Sequence, residues 1–188
     1  MTQHDLDALT AALLAGRGFA HKCDIGDVMT HLQAALPSGL SDQAAAVAVG
    51  DDCAAIPDGD GYLLFAIEGF VDDFVNESPW FAGYCGVMVN VSDIAAMGGR
   101  PLAVVDALWS RGMSPADEVL AGMSEASQRY RVPIVGGHTN NRNERGQLAV
   151  AILGRANKLL TSFGARPGDH LLMVVDLRGA YDDDKPYW

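Results

Sequence analysis

The sequence is poor in positive charge, since 13 lysine and arginine residues stand against 24 aspartate and glutamate residues, and the net charge is -11 over 188 residues. An acidic surface repels both a nucleic-acid backbone and anionic lipid, so we expect neither nucleic acid nor a membrane as a partner. An acidic protein still binds a nucleotide when metal cations bridge its carboxylates to the phosphates. The charge balance therefore leaves metal-dependent nucleotide binding open.

Cysteines and long apolar runs are also scarce. Cys23, Cys53 and Cys85 form no C-x-x-C pair and have no histidine at ligand spacing, which excludes a zinc knuckle and a disulfide framework and predicts reduced, buried thiols. No apolar run approaches the roughly 18 residues of a membrane span, and the N-terminus is acidic where a signal peptide is basic. We therefore expect a cytoplasmic protein. No Walker G-x-x-x-x-G-K-[ST] motif is present, so a P-loop is excluded.

The hydrophobic content of 49% with 20% charged residues is typical of one globular domain with a sizeable core and an additional piece. Leucines at helical spacing predict a first helix up to Leu14, and a second helix is predicted at about 25–36. Two longer helices are predicted at about 80–97 and 115–130, the latter with Ser114 as N-cap. The predicted strands are AAAVAV, GYLLFAIEGF, PLAVVDALWS, VPIVGG and GQLAVAILGRA.

These elements divide the chain into three parts. Residues 1–36 are predicted to be a leading helical segment with a Gly-rich linker, and residues 37–160 to be an α/β domain. The segment GARPGDHLLMVV is typical of a turn followed by a new strand, so residues 161–188 are predicted to begin a truncated second domain.

Acidic and polar residues occur in four Gly-containing clusters, which are GDDCAA, AIEGFVDDF, VNVSDIAAMGGRP and VGGHTNNR. Asp51 and Asp52 follow a predicted strand, Glu68 ends the next one, and Asp72 and Asp73 are predicted to follow it in a loop. Asn90 and Asp93 are three residues apart, which places both on one face of an apolar helix. A buried carboxylate needs a partner, and a hard cation that also binds substrate phosphates is one such partner.

Each cluster taken singly also has a structural interpretation. Asp51 and Asp52 could solvate a turn, Asp93 could accept a backbone hydrogen bond, and Gly136–Gly137 could end a strand. A lone His138 is more often a loop residue with satisfied hydrogen bonds than a catalyst. The order and spacing of the clusters are more specific than any one of them.

That order, GDDCAAI, then AIEGF, then GVMVNVSDIAAMGGRPLAVV, then VPIVGGHT, resembles the N-terminal ATP-binding domain of the aminoimidazole ribonucleotide synthetase, or PurM-like, superfamily. The resemblance covers residues 24–156 and is closest to a synthetase-related branch. The superfamily includes thiamine monophosphate kinase and selenophosphate synthetase. The resemblance implies an α/β (α+β) fold with a mixed sheet flanked by helices. It also implies a homodimer in which the sheets join across the dimer axis and the two subunits share the ATP sites.

The resemblance also implies site residues, with ATP and Mg²⁺ as cofactors and a small-molecule acceptor as substrate. Asp93 and Lys22 are implied as catalytic residues; Lys22 would contact the phosphates. Glu68 stands where the family has aspartate, and His138 where thiamine monophosphate kinase has aspartate. The implied metal ligands are Asp51, Asp52, Glu68 and Asp93. The implied nucleotide-binding residues are Lys22, Asp52, Asn90, Asp93, Gly136, Gly137, His138 and Thr139.

Three hypotheses follow from these residues. The first is an ATP-dependent enzyme that phosphorylates or activates a small-molecule acceptor. The second is a subunit that binds nucleotide without turnover, and the third is a dimerisation domain, for which the clustered acids would be an unexplained cost.

Overall fold

The computed structural model describes residues 2–16, 24–32 and 50–178. Its helices are α1 Gln3–Leu14, α2 Asp24–Leu32, α3 Asp72–Glu77, α4 Pro79–Ala96 and α5 Met113–Tyr130. Its strands are β1 Ala54–Asp58, β2 Gly61–Phe70, β3 Arg100–Trp109, β4 Ile134–Asn140 and β5 Gln147–Ala156. This arrangement confirms the predicted α/β class with a mixed sheet flanked by helices.

The five strands form one sheet in the order β1-β2-β5-β3-β4. Strands β3 and β4 are parallel and the other neighbouring pairs are antiparallel. Because cross-strand partners point to the same side of a sheet, the register sorts the side chains into two faces. Leu64, Val104 and Ile152 lie on one face and are fully buried, whereas Phe65 and Ile67 lie on the other face and are exposed.

Helix α4 covers the buried face, and α5 packs against α4. Glycines allow these close contacts. A Cβ at Gly122 would collide with the carbonyl oxygen of Trp80, and a Cβ at Gly86 would lie 2.8 Å from Cγ2 of Val150. The core therefore lies between β2, β5 and β3 on one side and the two long helices on the other.

Most elements agree with the sequence predictions, and the exceptions have physical causes. Helix α5 begins at Met113 with Gly112 at the N-cap and no side-chain cap, so Ser114 is not its N-cap. Asp72 and Asp73 begin α3 instead of lying in a loop, and both pair with Arg145. Strand β1 was not predicted, and the predicted strand AAAVAV lies outside the described residues.

The predicted strand in the segment HLLMVV is not formed in the part of the chain that the structure describes. Residues 171–176 have no secondary structure, and Leu171 and Val174 are each 99% exposed. Among the described residues no helix is long and apolar enough to span a membrane. Cys53 and Cys85 are buried free thiols, as predicted, and Cys23 lies outside the described residues.

Candidate functional site

The GDD loop directly precedes β1 and carries the first predicted ligand. Gly50 has φ +105°, a conformation that favours glycine, and places Asp51 against the chain that follows β5. The hydroxyl and the amide N–H of Ser162 donate to the two carboxylate oxygens of Asp51 at 2.6 and 2.9 Å, and the amide of Asp52 donates at 3.1 Å. Burial opposes ionisation of Asp51, but these hydrogen bonds outweigh it and lower the pKa of the carboxyl.

Cys53 directly follows the two aspartates of the GDD loop. Its thiol is buried, and burial together with the negative charges of Asp93, Asp52 and Asp51 raises its pKa to about 12. A thiol with such a pKa stays protonated and is not a nucleophile at neutral pH. Asp51 and Asp52 directly precede Cys53 in the chain, whereas Asp93 belongs to α4, so its effect on the Cys53 thiol indicates that the fold brings Asp93 near the GDD loop.

Asn90 ties α4 to the centre of the sheet. It is fully buried, and its side-chain nitrogen donates to the carbonyl of Gly86 at 2.8 Å and to that of Val150 at 3.0 Å. Its Oδ1 atom is buried and has no hydrogen-bond partner among the described residues. Asp93 lies one turn further along α4 and is half-buried. The two residues therefore share one helix but not one environment.

One row across the sheet contains two further predicted site residues. Glu68 pairs with Val150, Val150 with Asp106, and Asp106 with Gly137. A Cβ at Gly137 would collide with the carboxylate of Asp106, so the glycine leaves room for this side chain in its observed position. Glu68 is exposed, whereas the Oδ2 atom of Asp106 is buried without a partner in the described chain.

Asp106 is the site residue that sequence reasoning missed. The signal was present, since Asp106 is a lone acid in the apolar run PLAVVDALW. Burial raises the pKa of its carboxyl. Functional sites often contain partly buried carboxyls whose pKa is raised. Asp106 therefore belongs with the candidate residues.

The remaining predicted residues lie on β4. Gly136, Gly137, His138 and Thr139 are all exposed on this edge strand. His138 is paired with Ala107 on the open face of the sheet, where its ring centroid lies 6.4 Å from that of Trp109. Thr139 is paired with Leu108 and faces the opposite side. The VGGHT segment therefore presents backbone and side chains to both faces at one edge.

Within residues 2–16, 24–32 and 50–178, no three histidine, cysteine, aspartate or glutamate side chains are close enough together to hold a metal ion. The roles of Asp51, Asp52, Glu68 and Asp93 as metal ligands therefore remain predictions. Lys22 lies outside the described residues.

Comparison with known proteins identifies the family. Residues 50–156, more than half of the chain, match the model of the AIR synthase related protein, N-terminal domain. The chain therefore belongs to the AIR synthase-related family, and the fold is that of the PurM-like superfamily.

Individual relatives and a solved structure agree with this assignment. The chain is 56% identical over 142 residues to an uncharacterised protein of Synechocystis, covering 76% of this chain and 44% of that protein. It is 35% identical over 137 residues to thiamine-monophosphate kinase of Pyrococcus abyssi, covering 69% of this chain and 43% of that enzyme. A structure of AaThiL complexed with AMPPCP and TMP matches with a TM-score of 0.57 at 24% identity, covering 68% of this chain and 43% of that one. The chain thus spans less than half the length of these relatives.

Proposed function

We propose that this chain is the Mg-ATP-binding part of an enzyme that uses ATP to phosphorylate or activate a small-molecule acceptor. The observation that carries the proposal is that Asp93 of α4 lies near enough to Cys53 for its charge to raise the pKa of the thiol, in a chain of this family whose Asp51 and Asp52 directly precede that cysteine. Two separate segments, the GDD loop and α4, supply these acids, so the turn that contains Asp51 and Asp52 does not explain the position of Asp93. The relationship to a thiamine-monophosphate kinase supports phosphoryl transfer as the class of reaction.

The residues fit Mg-ATP chemically. Magnesium takes oxygen ligands and is usually held by one or two carboxylates together with substrate phosphates. Asp51 and Asp93, with Asp52 beside them, are the carboxylates that would hold it, and the unpartnered Oδ1 of Asn90 is a further oxygen acceptor on the same helix. Bound magnesium would neutralise and polarise the terminal phosphate. In this proposal Gly136 and Gly137 let the β4 backbone approach the phosphates, while Lys22, His138 and Thr139 contact them.

We also propose that the chain acts as a homodimer. The open face of the sheet carries Ile56, Phe65, Ile67 and Val105, which are between 40% and 65% exposed. A sheet with one apolar face uncovered is suited to packing against a second copy. A second copy would also add ligands to a site for which the described part of one chain supplies no three-ligand group.

The alternative is a subunit that binds nucleotide without turnover. One observation favours it: both carboxylate oxygens of Asp51 already accept hydrogen bonds from Ser162, so a metal must compete for them. Phosphoryl transfer by the complete protein would exclude this alternative, and nucleotide binding without transfer would support it.

Calorimetric titration with ATP, with and without Mg²⁺, tests the proposal. We expect Mg-dependent binding that Asp93→Asn weakens by about tenfold or more, because a charged ligand is lost without a change of shape. Asp117→Asn is the matched control, since it removes the same charge from an exposed position of α5. Equal ATP affinity of Asp93→Asn and the unmodified chain would contradict the site assignment.

A further inference from the structure

A group of cations lines one cavity of this acidic chain. The cavity has a volume of about 560 Å³ and lies where β5 ends and β3 begins. Arg100, Arg155 and Lys158 line it together with Asn157, and none of the described residues that line it is acidic. The whole chain has only 13 lysine and arginine residues, so three of them at one cavity is a marked local concentration of positive charge. We refer to it as the cationic cavity.

Two of these cations face each other across strands. Arg100 on β3 is the register partner of Arg155 on β5, so the two side chains start from opposite positions on the same face. Like charges in this arrangement destabilise a sheet. Arg155 is offset by Asp58, with which it forms an ion pair, and by Asp60, whose Oδ1 lies 3.2 Å from its Nη2.

The other two cations have no such compensation. Among the described residues, neither Arg100 nor Lys158 makes an ion pair or a side-chain hydrogen bond, and both are exposed. The charge of the group, three cations against Asp58 and Asp60, is therefore positive in a protein whose net charge is -11. An anion at the cationic cavity would remove the repulsion between the two arginines.

The adjoining end of α4 does not close the cavity to an anion. The C-terminal end of a helix is negative and opposes anion binding. Here the carbonyls of Ile94, Ala95 and Met97 already accept hydrogen bonds from Gly99, Gly98 and Leu160, respectively. Gly98 has φ +75° and no side chain, which leaves the backbone free to turn sharply beside the cavity. The three cations therefore determine the local charge.

We propose that the cationic cavity binds the phosphate group of a small molecule other than the metal-bound nucleotide. The acids around Cys53 suit a polyphosphate whose charge is carried by metal ions, whereas a cavity lined by cations and no acids suits a bare phosphate. Arginine presents a planar fork that matches phosphate oxygens, and lysine adds a flexible point charge. Arg100 and Lys158 would make these contacts, and Asn157 would add an amide donor.

Titration of the ¹⁵N-labelled chain with inorganic phosphate and pyrophosphate, in the presence of a chelator and without nucleotide, tests this proposal. We expect saturable shifts of the amide signals of residues 98–100 and 155–158. The double variant Arg100→Ala/Lys158→Ala should weaken binding by about tenfold or more, because charge-assisted hydrogen bonds are lost. Arg129→Ala, which removes an exposed cation from α5, is the matched control and should leave the affinity unchanged.

A variant that should bind phosphate more tightly shows whether a loss of affinity in the double variant results from misfolding. Asp60 is 95% exposed, and Asp60→Asn removes part of the charge that offsets Arg155. We expect it to tighten phosphate binding by about two- to fivefold, the size of an exposed ion-pair effect. Absence of saturable shifts in the unmodified chain, or equal phosphate affinity of the double variant, would overturn the proposal.

Competition separates this site from the proposed nucleotide site. Phosphate and Mg-ATP should bind together, and Asp93→Asn should retain phosphate binding. If Mg-ATP displaces phosphate from residues 98–100 and 155–158, the cationic cavity belongs to the nucleotide site and the inference is wrong. Phosphate binding by a chain that binds no Mg-ATP would instead support the cavity and contradict only the proposed function.

Discussion

The two faces of the sheet differ in how they are covered, although the same strands build both. On the covered face, Val150 and Ile152 are fully buried beneath α4, and glycines bring the helix layer close. On the open face, Phe65 is 47% exposed and Ile67 is 65% exposed. Side chains alternate along a strand, so one continuous apolar run supplies both faces of the sheet with apolar residues. Such a run indicates either that both faces are covered within the chain or that a partner covers one of them.

The covered face also carries the polar groups of the candidate site, whereas the open face has few of them. Asp106 and Gly137 lie in one row of the sheet with Val150, and Asn90 of α4 donates a hydrogen bond to the carbonyl of Val150. Buried polar atoms without partners are costly, and they persist where function requires them. This difference supports the proposals that the metal-bound nucleotide lies beside the covered face and that a second copy packs on the open face.

The largest effect is expected in the helix layer of the covered face. Gly122→Ala would push a methyl group against the carbonyl of Trp80 on the neighbouring helix. Because the clash is with backbone, the helices must separate, and we expect a loss of about 3 kcal/mol in the free energy of unfolding. Urea unfolding measures it. The matched control Glu125→Ala, on an exposed position of α5, should change little, and equal stability of Gly122→Ala would contradict the close packing of α4 and α5.

The open face is tested by placing a charge on it. Ile67→Lys puts an ammonium in the middle of this exposed apolar surface. If a second copy covers the face, the buried charge should abolish the dimer and leave a folded monomer, as light scattering and circular dichroism would record. A control at the exposed Glu125, Glu125→Lys, should keep the dimer. A dimer that persists in Ile67→Lys would locate self-association elsewhere.

The polar part of the covered face should respond to pH. Burial raises the pKa of Asp106 above its unfolded value of 3.8, so folding favours the protonated carboxyl. The stability is then greatest below the unfolded pKa and falls as the pH rises through the folded pKa. Asp106→Asn, which has the same shape and no charge, should therefore be more stable than the parent at neutral pH, with a difference that narrows towards pH 4.

Urea unfolding at several pH values measures this difference for Asp106. Asp117→Asn removes the same charge from an exposed site and should not give that pH dependence. A variant Asp106→Asn that is less stable than the parent at every pH would show that the ionised carboxylate is needed in the fold.

The sequence was informative where an element depends on its own pattern. Strand β2 was predicted with its observed bounds because a mostly apolar run begins and ends near glycines, and α4 was predicted at about 80–97, close to its observed bounds. Strand β1 was missed because it is five residues long and contains Pro57, which is tolerated only at an edge such as this one. The apolar segment at 171–175 was predicted as a strand that is not formed. A strand needs a partner strand, which its own sequence does not specify.

The candidate site was also predictable only in part. Resemblance selected Asp51, Asp52 and Asp93 as metal ligands, which stays a prediction, and the charge of Asp93 contributes to the raised pKa of Cys53 beside the GDD loop. Asp106 was missed because its meaning depends on its neighbour across the strands, Gly137, which lies 31 positions away and offers the space for a carboxylate. Long-range register decides such pairs, and the pattern of a single segment does not contain it.

The smallest expected effect is at Ser162, where the chain leaving β5 meets the GDD loop at the end of the covered layer. Ser162→Ala removes the hydroxyl that donates to Asp51 at 2.6 Å but keeps the amide that donates at 2.9 Å. Because these bonds favour the ionised carboxylate, their partial loss should move the pKa of Asp51 up towards its ordinary value, as a ¹³C titration of the side chain would record.

Asp51 would also be freer to accept a metal, so Mg-ATP affinity should rise slightly if Ser162 competes with magnesium. Thr161→Ala, the neighbouring hydroxyl change, is the control. A lower affinity in Ser162→Ala would instead mean that Ser162 holds Asp51 in the orientation that the metal requires.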